Sequence, residues 1–132
     1  MTSVLFLCQH NAGRSQLGAY LFAQVAGPGY EIGSAGNAPA ETINPVVAAS
    51  LAEIGIDTST ASPRAVTVEQ LASVDVVVAM KPRLDLPGPV AGRFIEWQFP
   101  DPSAWDLDGV RELRDAVLEQ VRRLAEELAD DR

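Results

Sequence analysis

The chain of 132 residues holds one cysteine, one histidine and one lysine. Cys8 alone cannot close an internal disulfide, and that economy fits a reducing compartment. With so few ligands of the soft kind, no His/Cys/carboxylate cluster reads as a metal site. Basic charge is scarce as well. Ten Lys and Arg face eighteen Asp and Glu, a net charge of −8, the wrong sign for a nucleic-acid or anionic-membrane surface. Long apolar runs are missing: Val4 to Cys8 is far too short to cross a bilayer, and no basic segment precedes it as in a secretory signal. A cytoplasmic location is the expectation. Repeats, linkers and low-complexity tracts are absent too. What remains is 47% hydrophobic and 21% charged, close to the globular average. A chain of this size forms one domain, residues 1–132, and buries roughly two-thirds of its unfolded surface.

Ser3 to Leu7 is a β-rich apolar run that ends at the polar stretch Gln9 to Gly13. From Arg14 to about Val25, Leu17, Leu21, Phe22 and Val25 recur at helical spacing, and Gly27-Pro28-Gly29 stops the helix. Tyr30 to Ser34 reads as a second strand. Asn44-Pro45 reads as a cap with proline at the first helical position, starting a helix that runs to Ile54 with Gly55 past its end. Val68 to Ser73 predicts a short helix, and Val74 to Met80 a central strand, apolar on both faces. Residues 82 to 102 carry five prolines and read mostly as loop, with a strand at Arg93 to Trp97. From Asp108 onward Val110, Leu113, Val117, Val121, Leu124 and Leu128 form one apolar stripe of a long helix. Its acidic start suits the helix dipole; its acidic end, Asp130 and Asp131, predicts fraying. Strands alternating with helices imply an α/β fold, a parallel sheet covered on both faces with ligands bound beyond the carboxyl ends of its strands. Cys8 sits at such an end.

Cys8-Gln9-His10-Asn11-Ala12-Gly13-Arg14-Ser15 is a cysteine, five residues, then Arg-Ser, lying between strand and helix. A short loop opening a helix turns its backbone N–H groups inward, and the helix N-terminus adds positive potential. Residues Gln9 to Ser15 are therefore the candidate oxyanion cradle. Arg14 supplies a planar fork for two oxygens of a tetrahedral anion. The same donors favour thiolate over thiol, which makes Cys8 a nucleophile. Ser15 can donate to that thiolate, Asn11 tolerates left-handed backbone, and Gly13 permits close approach.

With its flanking strand and helix, the stretch from Val4 to Gln16 resembles the low-molecular-weight protein tyrosine phosphatase superfamily, and within it the arsenate reductase branch. Ser34-Ala35-Gly36, Asn44-Pro45, Gly55-Ile56-Asp57, and Trp97 shortly before Asp101-Pro102 carry the likeness along nearly the whole chain. The resemblance implies a single-domain four-stranded parallel sheet flanked by helices. It implies Cys8 as nucleophile, Arg14 with the loop amides as oxyanion binder, Ser15 as thiolate stabiliser and Asp101 as general acid. The last role is chemically apt, because a leaving oxygen needs a proton and a carboxyl on a Pro-flanked loop beside an anion pocket is suited to deliver it.

Thioredoxin-coupled members of the branch carry two further cysteines after the strand equivalent to Val76–Met80; here the stretch reads Lys81-Pro82-Arg83-Leu84-Asp85-Leu86-Pro87. One thiol cannot supply both electrons for arsenate reduction and turn over, so a second must come from outside. The chain thus resembles the single-cysteine arsenate–mycothiol transferases of GC-rich Gram-positive bacteria. These join arsenate to mycothiol, after which a mycoredoxin-like reductase releases arsenite. Nine Arg against one Lys accords with GC-rich coding. In this reading nothing is bound as a resident cofactor, the substrate is arsenate with phosphate or sulfate as analogues, and mycothiol is the co-substrate. Either Cys8 attacks arsenic or it holds arsenic while the external thiol attacks.

Two rivals use the same loop. A phosphatase for phosphotyrosine or small phosphate esters needs the same Cys8, Arg14 and Asp101, but the tyrosines that follow Asp-Pro in that branch are here Ser103-Ala104-Trp105. A non-catalytic oxyanion-binding protein is the other. Further candidates are His10, placed to tune Cys8, hold a loop or simply be solvated; Lys81 and Arg83, as contacts for an external thiol, although two bases beside a proline are usually only surface; and Trp97 and Trp105, as walls of the pocket, although large rings near a sheet edge more often belong to the core.

Overall fold

The computed structural model describes residues 1–130. Four strands, β1 (Thr2–Cys8), β2 (Tyr30–Gly36), β3 (Val76–Ala79) and β4 (Arg93–Glu96), form one sheet in the order β2-β1-β3-β4. Every pairing is parallel. Four helices connect or follow them: α1 (Arg14–Ala26), α2 (Pro45–Ala52), α3 (Val68–Ser73) and α4 (Leu107–Asp130). The expected architecture is the observed one.

The period of two along the central strands divides the core into halves. Val4, Phe6 and Cys8 of β1, with Val76 and Val78 of β3, face the cluster built by α1, α2 and α4. Leu5, Leu7, Val77 and Ala79 face the other way, onto Ala35, Val66, Leu71 of α3 and Leu84. On α4 the six stripe residues from Val110 to Leu128 are all buried; each contributes about 1.5–3 kcal/mol relative to exposure. The helix runs through Asp130; Asp131 lies outside the described residues.

Element ends follow local chemistry. Asn44 Oδ1 accepts from the Val46 and Val47 amides at 2.9 and 3.4 Å, and Pro45 opens α2. That helix stops at Ala52 rather than Ile54, and the chain leaves through a turn at Gly55, φ 83°. β3 begins two residues later than expected. Val74 closes α3, and Asp75 is engaged with the start of β1, its carboxylate accepting from the Ser3 amide and hydroxyl at 2.8 and 3.1 Å.

The stretch after β3 is fastened to the body. Leu84 is buried in the second core half, the Arg83 amide donates to Glu96 at 3.1 Å, and Asn37 Nδ2 donates to the Asp85 carbonyl at 2.9 Å. Arg83 takes a left-handed φ of 56°, a conformation uncommon for a residue other than Gly, Asn or Asp. Among the described residues no helix is long and apolar enough to cross a membrane.

Candidate active site

At the carboxyl end of the sheet, the loop between β1 and α1 wraps around Cys8, which is 2% exposed. Ser15 sits one turn into the helix with its Oγ 2.9 Å from Cys8 Sγ. Asn11 Nδ2 donates to the same Oγ at 2.7 Å. Because the oxygen is already accepting from Asn11, the Ser15 hydroxyl proton is available for the sulfur. The amide is held in that orientation from its other end, where Asn11 Oδ1 accepts from the Arg64 amide at 3.0 Å. Gln16 Nε2 donates to the Asn11 carbonyl at 2.9 Å. Asn11 adopts φ 51° and is wholly buried, as its place in the loop requires. The result is a chain of donors, Arg64 to Asn11 to Ser15, ending on the sulfur, and such chains reinforce one another in a low-dielectric setting.

Arg14 is 6% exposed. Its one hydrogen bond among the described residues runs from NH1 to the Phe99 carbonyl at 3.0 Å, so most of its five N–H donors remain for a ligand. A nearly buried guanidinium without a carboxylate partner is costly unless an anion completes it.

The loop after β4 closes the other side. Cys8, His10, Ala12, Gly13, Arg14, Asn44, Asp101, Pro102 and Ser103 line a recess of about 30 Å³. Of the expected catalytic residues the structure brings Cys8, Arg14 and Asp101 to this one recess, with Ser15 beneath the sulfur. Pro102 is buried against Gly13, where an added Cβ would stand 3.1 Å from the proline ring. Gly13 has a negative φ of −127°, and Pro102 is what a side chain there would meet first. Asp101 Oδ1 accepts from the Ser103 amide at 3.1 Å, a turn that orients the exposed carboxylate.

Behind the loop lies Gly36, at the end of β2. A Cβ there would lie 2.5 Å from the Gln9 carbonyl oxygen and 3.0 Å from both the Cys8 carbonyl oxygen and the Asn11 nitrogen. The segment that follows β2 is stitched to the loop by the Ala38 amide on the Gln9 carbonyl at 2.8 Å and the Ala40 amide on the His10 carbonyl at 2.9 Å. His10 Nδ1 stands 3.1 Å from the Ala38 carbonyl oxygen.

Several of the weaker candidates lie outside the recess. Trp97 does not line the recess; its ring packs on Phe6 and Phe99 at 6.3 and 6.1 Å. Trp105 lines a separate groove beside α4. Lys81 and Arg83 do not line the recess either. Asn44, read only as a helix cap, is part of the wall, and the Phe99 carbonyl that anchors Arg14 has no signal in the sequence. Among the described residues no group of three or more His, Cys, Asp or Glu side chains is placed to hold a metal ion.

A parallel α/β sheet with a cysteine, an arginine and a carboxylate converging at the mouth of its first loop is a site suited to a tetrahedral oxyanion. Residues 3–85 match the model of the low molecular weight phosphotyrosine protein phosphatase family, and the chain belongs to that family. A putative arsenate reductase of Halobacterium salinarum is 32% identical over 133 residues, covering 96% of this chain and 92% of the relative. A thioredoxin-dependent arsenate reductase of Corynebacterium glutamicum superimposes with TM-score 0.86 at 29% identity. The match covers the whole of this chain but only 64% of that one. An arsenate reductase solved in its phosphate-binding state superimposes with TM-score 0.81 at 30% identity, over 96% of this chain and 98% of the other.

Proposed function

We propose that the protein is an arsenate reductase that draws its second thiol from outside the chain, with mycothiol as the first candidate. The observation that carries the reading is the recess itself: one thiol at its floor, a buried Arg14 awaiting an anion, and Asp101 at its rim. Arsenate binds to the Arg14 fork and the amides of residues Gln9 to Ser15. Cys8, its sulfur stabilised by Ser15, is the nucleophile or the holding ligand, and Asp101 protonates the oxygen that leaves arsenic as water. Reduction of As(V) to As(III) takes two electrons, supplied when two thiols become one disulfide. With a single cysteine in the chain, the external thiol first receives arsenic as a thiol–arsenate adduct. A second thiol, on a mycoredoxin-like reductase, then attacks the adduct's sulfur and arsenite departs. Relatives are named for different reductants: thioredoxin in the Corynebacterium protein, glutaredoxin in one from Synechocystis. The electron donor is thus the part of the system that varies.

The test is arsenate turnover coupled to NADPH oxidation, comparing mycothiol plus mycoredoxin with thioredoxin alone, and Cys8→Ser as the blank. Turnover only in the mycothiol system, lost in the variant, is the expected result. Silence in both overturns the reading. The phosphatase rival is disfavoured because no Phe, Tyr or Trp lines the recess to clasp an aryl group; hydrolysis of an aryl phosphate by the same sample would restore it.

A further inference from the structure

The proposed chemistry leaves one proton without a carrier. A free thiol has a pKa near 8.5, so at neutral pH the external thiol arrives mostly protonated and must lose that proton before its sulfur can bond. Cys8, Arg14 and Asp101 already have tasks. Of the remaining side chains that line the recess, His10 is the one able to take a proton.

Its ring is tethered at one nitrogen. The Ala38 carbonyl can only accept, so His10 Nδ1 carries the hydrogen across the 3.1 Å contact. In the neutral ring that tautomer puts the lone pair on Nε2, which has no hydrogen-bond partner among the described residues. The carbonyl that fixes the ring is itself fixed, because the Ala38 and Ala40 amides bond to the carbonyls of Gln9 and His10. His10 is half-buried and lines the recess together with Cys8.

We propose that His10 is the catalytic base that deprotonates the external thiol. The inference rests on the arsenate reductase reading of the same site. The thiol's proton passes to Nε2 and the thiolate attacks arsenic held on Cys8. The new S–As bond forms as the Cys8 S–As bond breaks, and its electron pair returns to Cys8 as the thiolate held by Ser15. Arsenic stays at As(V), and the proton on Nε2 leaves to solvent. General-base catalysis of this kind contributes about 10²–10⁴-fold.

The experiment compares wild type, His10→Gln and His10→Ala with two thiols, mycothiol and the more acidic trifluoroethanethiol, the latter at a pH above its own pKa. Glutamine can still donate an N–H to the Ala38 carbonyl but cannot take a proton. Both variants are expected to lose at least about 100-fold in kcat/KM for mycothiol and little with the ionised thiol. Protection of Cys8 by arsenate against alkylation should be unchanged, which reports that the loop is still folded. Full activity in His10→Gln, or an equal loss with both thiols, reduces His10 to a loop tether and overturns the proposal. Wild-type protein silent with every thiol overturns the arsenate reading, and this proposal with it.

Discussion

Ser15 Oγ and Cys8 Sγ stand 2.9 Å apart, and with Asn11 donating to that oxygen the hydroxyl proton is free to turn towards the sulfur. A thiolate formed at Cys8 would find that donor already in place. Ser15→Ala removes a charge-assisted hydrogen bond worth about 1.5–3 kcal/mol. The expected outcome is alkylation of Cys8 by iodoacetamide slowed roughly 10- to 100-fold near neutral pH, with a lower thermal midpoint as well, because Asn11 Nδ2 loses its buried acceptor. An unchanged alkylation rate would show that the serine is only packing.

Gly36 is fixed by space. A methyl group at that position meets three backbone atoms of the loop, among them the Gln9 carbonyl oxygen at 2.5 Å, and backbone cannot step aside as a flexible side chain does. Gly36→Ala should destabilise the fold by about 1–3 kcal/mol as overpacking does and abolish phosphate protection of Cys8. Thermal melts with and without phosphate check both effects. A variant that still gains stability from phosphate refutes the close contact.

Asp101 reaches the recess from a loop that needs no movement to seat its neighbour Pro102 against Gly13. Asp101→Asn keeps the turn acceptor for the Ser103 amide and removes the acid. Arsenate should protect Cys8 as before, while kcat falls about 10²-fold or more. Loss of arsenate binding instead would make Asp101 part of the anion site.

Far from the recess, α2 and α4 are clamped by one carboxylate. Glu53 accepts from Arg111 Nε at 3.0 Å and from Arg114 NH1 at 2.8 Å, and Arg114 also reaches the Ser50 carbonyl. The Arg111 hydrogen bond, ahead of that from Arg114 and the attraction of both guanidinium groups, holds the Glu53 carboxyl down from its ordinary 4.5 to about 2. Because the folded state binds this proton less tightly than the unfolded one, the stabilisation is complete above about 4.5 and is lost as pH falls towards 2. Wild type should lose urea resistance over that window more steeply than Glu53→Gln. Parallel acid limbs would remove Glu53 from the account.

The elements were legible because each is announced locally. The apolar stripe of α4, the Asn44-Pro45 start of α2 and the β-rich run before Cys8 each need only a few neighbouring residues to be recognised, and the left-handed Asn11 followed from its type. The contacts that finish the site were not legible. Arg14 is anchored by a residue 85 positions away and Asn11 by one 53 positions away, in both cases through backbone groups that every residue possesses. Pro102 against Gly13 leaves no more trace in the sequence. Trp97 follows the commoner outcome for a large ring near a sheet edge: its area draws it to the core, and it packs on Phe6 and Phe99.

Leu84 seated in the core, with tethers on either side at Arg83 and Asp85, makes the stretch after β3 a fixed wall. Where both reducing thiols come from other molecules, such a wall stores no electrons. The protein then carries no oxidised resting form to be reset between turnovers, and its pace follows the encounter rate with a carrier that other enzymes must keep charged. Resistance to arsenate in such a cell would rise and fall with its small-thiol pool, with this catalyst acting as a gate on that supply.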